Sequence, residues 1–126
     1  MSEELSPRLE LVRSRLIEAA RMRRLVHYKE VAEILGIQSE RLDHSAELAG
    51  ALDEISTFEY EHDRPLLSVI VVHQEDKHPG GGFFKMAKRN GVQKPGQDDE
   101  AFFITELKRA WDYWQKHGPR TGGGRP

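Results

Sequence analysis

The stretch that decides the fold runs from Arg64 to Phe84, RPLLSVIVVHQEDKHPGGGFF. Its first part, Leu66 to Val72, is an apolar run rich in β-branched side chains, with Pro65 before it and polar, glycine-rich sequence after it. Such a run is typical of a strand that is buried on both faces. No other segment predicts a strand as clearly, so we expect helices to pack around this one.

Length and composition limit the classes of protein that are open to the chain. Its 126 residues predict one globular domain over residues 1–118, followed by a disordered tail over residues 119–126, PRTGGGRP. No apolar run approaches the roughly 20 residues that a membrane span needs, and the first residues lack the apolar core of a secretory signal. The absence of cysteine excludes disulfides and cysteine nucleophiles and indicates a cytoplasmic location.

The rest of the chain predicts helices, because apolar residues recur at three- and four-residue spacing between capping and terminating residues. The predicted helices are Pro7–Arg24 after Ser6, Tyr28–Leu35 before Gly36, His44 or Ser45 to Tyr60, Gly82–Asn90 before Gly91, and Asp98 or Asp99 to His117. The predicted fold is therefore α+β and mostly helical. A winged helix-turn-helix-like centre, with one strand or a short hairpin, is flanked by the N- and C-terminal helices.

Two of these helices carry distinctive faces. The third helix predicts an acidic outer face, formed by Glu47, Asp53, Glu54, Glu59 and Glu61. A glycine inside a helix costs roughly 1 kcal/mol relative to alanine, so Gly50 predicts the close approach of another backbone. The fifth helix carries an aromatic stripe that predicts core packing, with a homodimer seam as the alternative; the stripe is Phe102, Phe103, Trp111 and Trp114.

The net charge of −2 conceals a strong alternation of charge along the chain. Six arginines lie between Arg8 and Arg24, and ten acidic residues lie between Glu30 and Asp63. The segment from Lys77 to Lys94 is again basic, with five positive residues and no acidic one. This distribution, rather than the net charge, decides which partners the chain attracts.

The segment KHPGGGFFK leads a glycine-rich loop into the start of the fourth helix. Free N–H groups at such a helix start, with cationic side chains nearby, predict a seat for a phosphate. The residues assigned to it are Lys77, His78, Gly80, Gly81, Gly82, Lys85, Lys88 and Arg89, assisted by Arg21, Arg23 and Arg24. The spacing matches neither a Walker A motif nor a dinucleotide fingerprint, and the alternative is a loop whose glycines only turn the chain.

Acidic residues and histidines before and after the apolar run form a second candidate site. Glu59, Glu61, Asp63 and Glu75 are the weak metal-ligand candidates, and Asp63 followed by Glu75-x-Lys77 imitates the order found in one large nuclease superfamily. An extended strand rises about 3.3 Å per residue, which places these groups at opposite ends of the strand. Two separate acidic surfaces are therefore favoured, and no metal or cofactor is expected.

Three segments of the chain resemble the winged-helix DNA-binding domain of the alkylguanine-DNA alkyltransferases and alkyltransferase-like proteins. They are LVHYKEVAEILG (25–36), SAELAGALDEI (45–55) and PLLSVIVVH (65–73), and the resemblance covers about residues 25–84. It implies two helices, a strand and a wing, in an arrangement that binds duplex DNA.

The departures from that family limit what the resemblance implies about activity. The proline-cysteine-histidine-arginine motif of the family is absent, and a chain without cysteine cannot accept an alkyl group. The third helix also carries no lysine or arginine where the family has its DNA-contacting arginine. Duplex DNA presents one charge per about 1.7 Å of its axis, so it repels the carboxylates of this helix.

We therefore expect a non-catalytic, nucleic-acid-associated binding module that grips phosphates through the basic loop and the fourth helix. One alternative is a protein-interaction adaptor, which uses the acidic third helix against a basic partner or uses the tryptophan-bearing helix. A metal-dependent nuclease is the other alternative. No membrane partner is expected.

Overall fold

A computed structural model describes residues 4–37 and 46–118. Its helices and strands, in chain order, are α1 (Pro7–Arg21), β1 (Val26–His27), α2 (Tyr28–Leu35), α3 (Ala46–Glu61), β2 (Val71–Val72), α4 (Gly81–Arg89) and α5 (Asp99–His117), with one turn of 3₁₀ helix at Leu67–Ile70. The expectation of a mostly helical α+β fold is confirmed. The predicted start of the third helix at His44 or Ser45 and the predicted tail over 119–126 lie outside the described residues.

The apolar run Leu66–Val72 is buried as predicted, but most of it is not a strand. Leu67–Ile70 form the 3₁₀ turn and only Val71–Val72 are extended, while no residue of the run is more than 4% exposed. The buried backbone N–H groups of Leu66 and Ser68 donate to side chains of other helices rather than to a neighbouring strand. Every buried donor needs a partner, and here side chains supply it.

The two strands pair in parallel, with Val26 opposite Val71 and His27 opposite Val72. In the described part of the chain they are the whole sheet, so the predicted short hairpin does not form there. The carboxyl ends of parallel strands lie at the same edge. The pairing therefore places the residues that follow, Tyr28 and His73, side by side.

Local signals set most of the helix ends. The Ser6 side chain accepts the Leu9 N–H at the start of α1, and Asp98 accepts the Ala101 N–H at the start of α5. Gly36, at φ 77°, ends α2 in the left-handed conformation that glycine adopts without strain. Helix α1 ends at Arg21 rather than at the predicted Arg24.

Helices α1, α3 and α5 all contact the Leu67–Ile70 turn, and α1 also contacts α5 and α2. The aromatic stripe of α5 packs inward as predicted, since Phe102, Phe103 and Trp114 are buried. Trp111 is partly buried and donates its indole N–H to the Arg24 carbonyl at 3.1 Å. The tryptophans of α5 are thus part of the core of a single chain.

Two predictions for α3 are wrong. Glu59 is not on the outer face: it is fully buried and accepts hydrogen bonds from Arg13 and Arg64. Its position one turn after the buried Ile55 explains why it points inward. Gly50 does not meet another backbone, because no heavy atom lies within 4 Å of the position that a Cβ would take there.

Among residues 4–37 and 46–118, no helix combines the length and the apolar character that crossing a bilayer requires.

Candidate functional site

A cavity of about 710 Å³ opens where the starts of α2 and α4 meet α3 and the loop after β2. Its polar lining includes His27, Tyr28, Lys29, Asp53, His73 and Glu75. Its apolar lining comes from Leu48, Leu52, Phe83 and Met86. The cavity therefore combines apolar side chains with polar side chains of both charges, as ligand-binding sites often do.

Tyr28, His73 and Gly80 form one contact group in this cavity. The Gly80 N–H donates to the Tyr28 hydroxyl at 2.8 Å, and the Tyr28 and His73 rings lie 4.5 Å apart, centroid to centroid. A Cβ at Gly80 would stand 3.2 Å from the Tyr28 hydroxyl oxygen and 3.4 Å from His73 Nε2. Both polar atoms therefore point to the backbone of Gly80, and a side chain there would crowd them.

Burial is the largest influence on the Tyr28 hydroxyl and raises its pKa above the ordinary value of 10.0. The hydrogen bond from Gly80 lowers this pKa and the charge of Asp76 raises it further, each by less than burial does. Tyr28 is therefore a neutral phenol at physiological pH. It can donate its own proton to a ligand while it accepts the Gly80 N–H.

The first turn of α4 opens beside the same cavity. Gly80 caps the helix without any side-chain hydrogen bond, and Gly81 and Gly82 are its first two residues. The first N–H groups of a helix have no acceptor within it. The space beside both glycines is open, because a Cβ on either would meet nothing within 4 Å.

The predicted basic residues of the loop and α4 have different surroundings. Lys88 lies 3.5 Å from Asp99, and Arg89 lies 3.0 Å from Asp53. Lys77 donates to the Gln74 carbonyl at 3.1 Å. Lys85 is exposed, and its side chain has no hydrogen bond or ion pair with the described residues.

The three arginines predicted to assist this site lie elsewhere. Arg23 donates to Asp112 of α5 at 2.9 Å, and the Arg21 side chain lies against Gly118 at the end of α5. At the other end of α5, His78 of the loop contacts Glu100. A helix rises about 1.5 Å per residue, so the positions of Glu100 and Asp112 are about 18 Å apart. Arg21 and Arg23 are therefore remote from the glycine-rich loop.

Four further arginines in the described part of the chain connect elements of the fold. Arg8 donates to the Leu35 carbonyl at 3.1 Å, and Arg15 pairs with Glu30. Arg13 and Arg64 both bind Glu59. These guanidinium groups hold helices together, so they contribute little to a surface for anionic ligands.

The metal candidates do not come together. Glu59 is occupied by two arginines, Glu61 and Asp63 are exposed at the end of α3, and Glu75 lines the cavity. Within the described ranges, no three acidic or histidine side chains gather closely enough to hold an ion.

Sequence reasoning missed Tyr28 and Lys29 as site residues, and it considered His73 only beside the metal-ligand candidates. Tyr28 and His73 each follow a strand, and parallel pairing of the strands brings them together. Two-residue strands leave no readable pattern, so only the polar residue at the end of each apolar segment could have signalled the site.

The cavity offers several groups that can bind a ligand. Ser68 also lines it, and its hydroxyl lies 2.6 Å from that of Ser56. The phenol, the backbone N–H groups and the ammonium of Lys29 are hydrogen-bond donors suited to an anion. Comparison of the chain with protein-family models, with curated proteins and with solved structures found no match in any of the three.

Proposed function

We propose that this chain is a non-catalytic module that binds nucleic acid through its phosphates, at the glycine-rich loop and the first turn of α4. The observation that carries the proposal is the start of α4: Gly81 and Gly82 are its first two residues, the space beside both is open, and Gly82 lines the cavity. A helix start attracts anions through its free N–H groups and through the helix dipole. Lys85, one turn after Gly82 and without a partner among the described residues, supplies a free cation.

The proposal also covers the type of fold. Helices α2 and α3, which contact each other, are the helix pair of a winged helix-turn-helix-like centre, and the glycine-rich loop takes the place of its wing. The resemblance to the alkyltransferase-like proteins supports this assignment, although the cysteine that performs their chemistry is absent. A cytoplasmic location is part of the same proposal.

Binding to the backbone, rather than reading of bases, fits the charges of α3. Its exposed residues include Glu47, Glu54 and Glu61, and the helix contains no lysine or arginine. The bidentate contacts by which side chains read guanine and adenine come from arginine, lysine, asparagine or glutamine. Helix α3 offers none of these, so we expect affinity that depends on salt and little preference for sequence.

The test is the double substitution Lys85→Glu with Lys88→Glu, assayed with a labelled DNA duplex at low salt. We expect binding to be lost. The matched control is Lys108→Glu with Lys116→Glu, which makes the same change of charge on exposed positions of α5 and should keep most of the binding. A single Lys85→Gln variant should reduce the slope of log K against log salt by about 0.9, the value for one phosphate contact. Equal binding by wild type and by the Lys85/Lys88 variant contradicts the proposal.

One observation favours a second candidate, an adaptor for a basic protein segment. A groove of about 490 Å³ beside α3 is lined by Glu4, Asp53, Glu54 and Glu61, with Phe58 among its apolar residues. Glu54→Lys with Glu61→Lys should then abolish binding of an oligolysine peptide, whereas the Lys85/Lys88 variant should retain it. The tryptophan-bearing helix is a weaker adaptor or dimer surface, because its tryptophans pack within the chain.

A further inference from the structure

The loop after β2, residues 73–80, forms one wall of the cavity, since His73, Gln74, Glu75 and Gly80 all line it. Hydrogen bonds fix this wall at two places. Gly80 binds Tyr28 on the α2 side, and His78 binds Glu100 on the α5 side. The His73 N–H donates to the His78 carbonyl at 2.9 Å and closes the loop on itself. Movement of His78 would therefore shift the loop residues that line the cavity.

The hydrogen bonds of the His78 ring determine its protonation state. Its Nδ1 lies 2.8 Å from the Asp76 carbonyl oxygen, and its Nε2 lies 2.5 Å from Glu100 Oε1. A carbonyl oxygen and an ionised carboxylate can only accept hydrogen bonds, and a neutral imidazole has only one N–H. Both contacts can be hydrogen bonds only when both ring nitrogens carry a proton. The closed arrangement of the loop thus belongs to the imidazolium form of His78.

We propose that His78 is a pH-dependent anchor of the cavity wall: its imidazolium form holds residues 73–80 against α5, and loss of its proton releases them. The loop begins with His73 beside Tyr28 and ends at the first turn of α4. Release therefore disturbs both the lining of the cavity and the orientation of the open N–H groups. That this release also weakens nucleic-acid binding rests on the function proposed above.

The charges around His78 favour its protonated form. Asp76 from its own loop and Glu100 from α5 face the ring, and the uncharged ring of Phe103 lies 5.1 Å away, centroid to centroid. From the adjoining helix α4, Lys88 pairs with Asp99, the residue that precedes Glu100. The hydrogen bond to the Asp76 carbonyl, followed by the one to Glu100, raises the pKa of His78 above its ordinary value of 6.5.

The direction of the effect follows from this raised pKa. A group whose pKa is higher in the folded state stabilises that state fully below its unfolded value, and the contribution disappears as the pH rises through the folded value. The anchor is therefore closed below pH 6.5 and opens above the raised pKa.

The experiment measures amide hydrogen exchange of His73 and Gly80 in the protein alone, expressed as protection factors that correct for the intrinsic pH dependence. In wild type, protection should fall with pH above the pKa of His78, by up to about tenfold per pH unit. In His78→Gln, which cannot titrate, it should not depend on pH. His117→Gln, at the opposite end of α5, should behave as wild type does.

Titration of the His78 ring by NMR gives an independent readout. Its pKa should fall when Glu100→Gln removes the facing carboxylate. Protection that is independent of pH in wild type, or that falls equally in His78→Gln, overturns the proposal. Neither measurement contains nucleic acid, so failure of the anchor is distinguished from failure of DNA binding. If both proposals hold, the affinity for duplex DNA at constant salt falls as the pH rises through the raised pKa of His78 in wild type, but not in His78→Gln.

Discussion

The backbone N–H of Leu66 donates to Oε2 of Glu106 at 2.8 Å, in a part of the core where Leu66 is fully buried and Glu106 is only 2% exposed. Arg109, one turn further along α5, donates to both oxygens of the same carboxylate at 3.0 Å. Glu106 thereby connects the start of the apolar run to α5. A buried acceptor of this kind replaces the neighbouring strand that the sequence predicts for the run.

Removal of the Glu106 carboxylate should destabilise the fold. In Glu106→Ala the Leu66 N–H is left buried without a partner, which costs about 1–3 kcal/mol. Glu106→Gln retains one carbonyl acceptor and should cost less. The measurement is the free energy of unfolding in urea. Thr105→Ala, an exposed neighbour, serves as control and should change it by no more than about 0.5 kcal/mol.

Among the carboxylates of α3, Glu59 should be the one whose removal destabilises the fold most. Glu59→Ala leaves Arg13 and Arg64 facing a buried space without their shared anion, and breaking a buried pair in this way costs about 3–5 kcal/mol. The partial exposure of the two arginines favours the lower end of that range. Glu54→Ala, on the exposed face of the same helix, is the matched control. Equal stability of the two variants would contradict the role given to Glu59.

The buried serine pair predicts an asymmetric result. The Ser56 hydroxyl accepts the Ser68 N–H at 2.9 Å and also contacts the Ser68 hydroxyl at 2.6 Å. Ser56→Ala therefore leaves a buried backbone N–H without an acceptor and should lower the free energy of unfolding by about 2 kcal/mol. Ser68→Ala loses only the contact between the hydroxyls and should lower it by about 1 kcal/mol. Thermal unfolding of both variants gives the comparison. The reverse order would show that the backbone hydrogen bond contributes little.

The Arg23–Asp112 contact predicts that the stability of the fold depends on pH in acidic solution. The hydrogen bond from Arg23 lowers the pKa of Asp112 below its ordinary value of 3.8, with smaller help from Lys108. A lowered pKa stabilises the fold above the unfolded value, and this contribution is lost as the pH falls through the folded value. Arg23→Gln should therefore move the pKa of Asp112 back toward 3.8, which NMR titration of the carboxyl carbon detects. High salt should reduce the difference, because the pair is exposed.

Gly50→Ala should stabilise the protein by about 1 kcal/mol, because alanine is the better helix former and the space beside Gly50 is open. Gly36→Ala provides the contrast. At φ 77° an alanine is strained, so this substitution should destabilise the protein. Both effects can be measured by the midpoint of denaturant unfolding. A loss of stability in Gly50→Ala would mean that an approaching group does need the glycine.

The helices could be predicted from sequence where local signals set them. Ser6, Gly36 and Asp98 act on residues one turn away, and the predicted ends of α2 and α5 agree with the structure. The conformation of Leu67–Ile70 could not be predicted. The buried N–H groups of Leu66, just before this turn, and of Ser68, within it, bind side chains of α5 and α3.

The candidate site was predictable only in part. The glycine-rich start of α4 could be read from the segment KHPGGGFFK, but its cavity depends on a strand pairing that leaves no sequence pattern. For Glu59, two sequence signals disagreed: its charge predicted exposure, whereas its helical spacing from Ile55 predicted burial. Its partner Arg13 lies in a different helix, so the charge signal alone gave the wrong answer.

The parallel pairing of Val26 with Val71 also has a consequence for the order of folding. Residues 28–70, which include α2 and α3, lie between the two strands. The pairing therefore closes a long loop but gains only two pairs of strand residues. Loop closure of this length is entropically unfavourable until other contacts hold its ends together. The ladder therefore forms after the helices dock, and slow exchange of the amides that it protects would report completion of the tertiary structure.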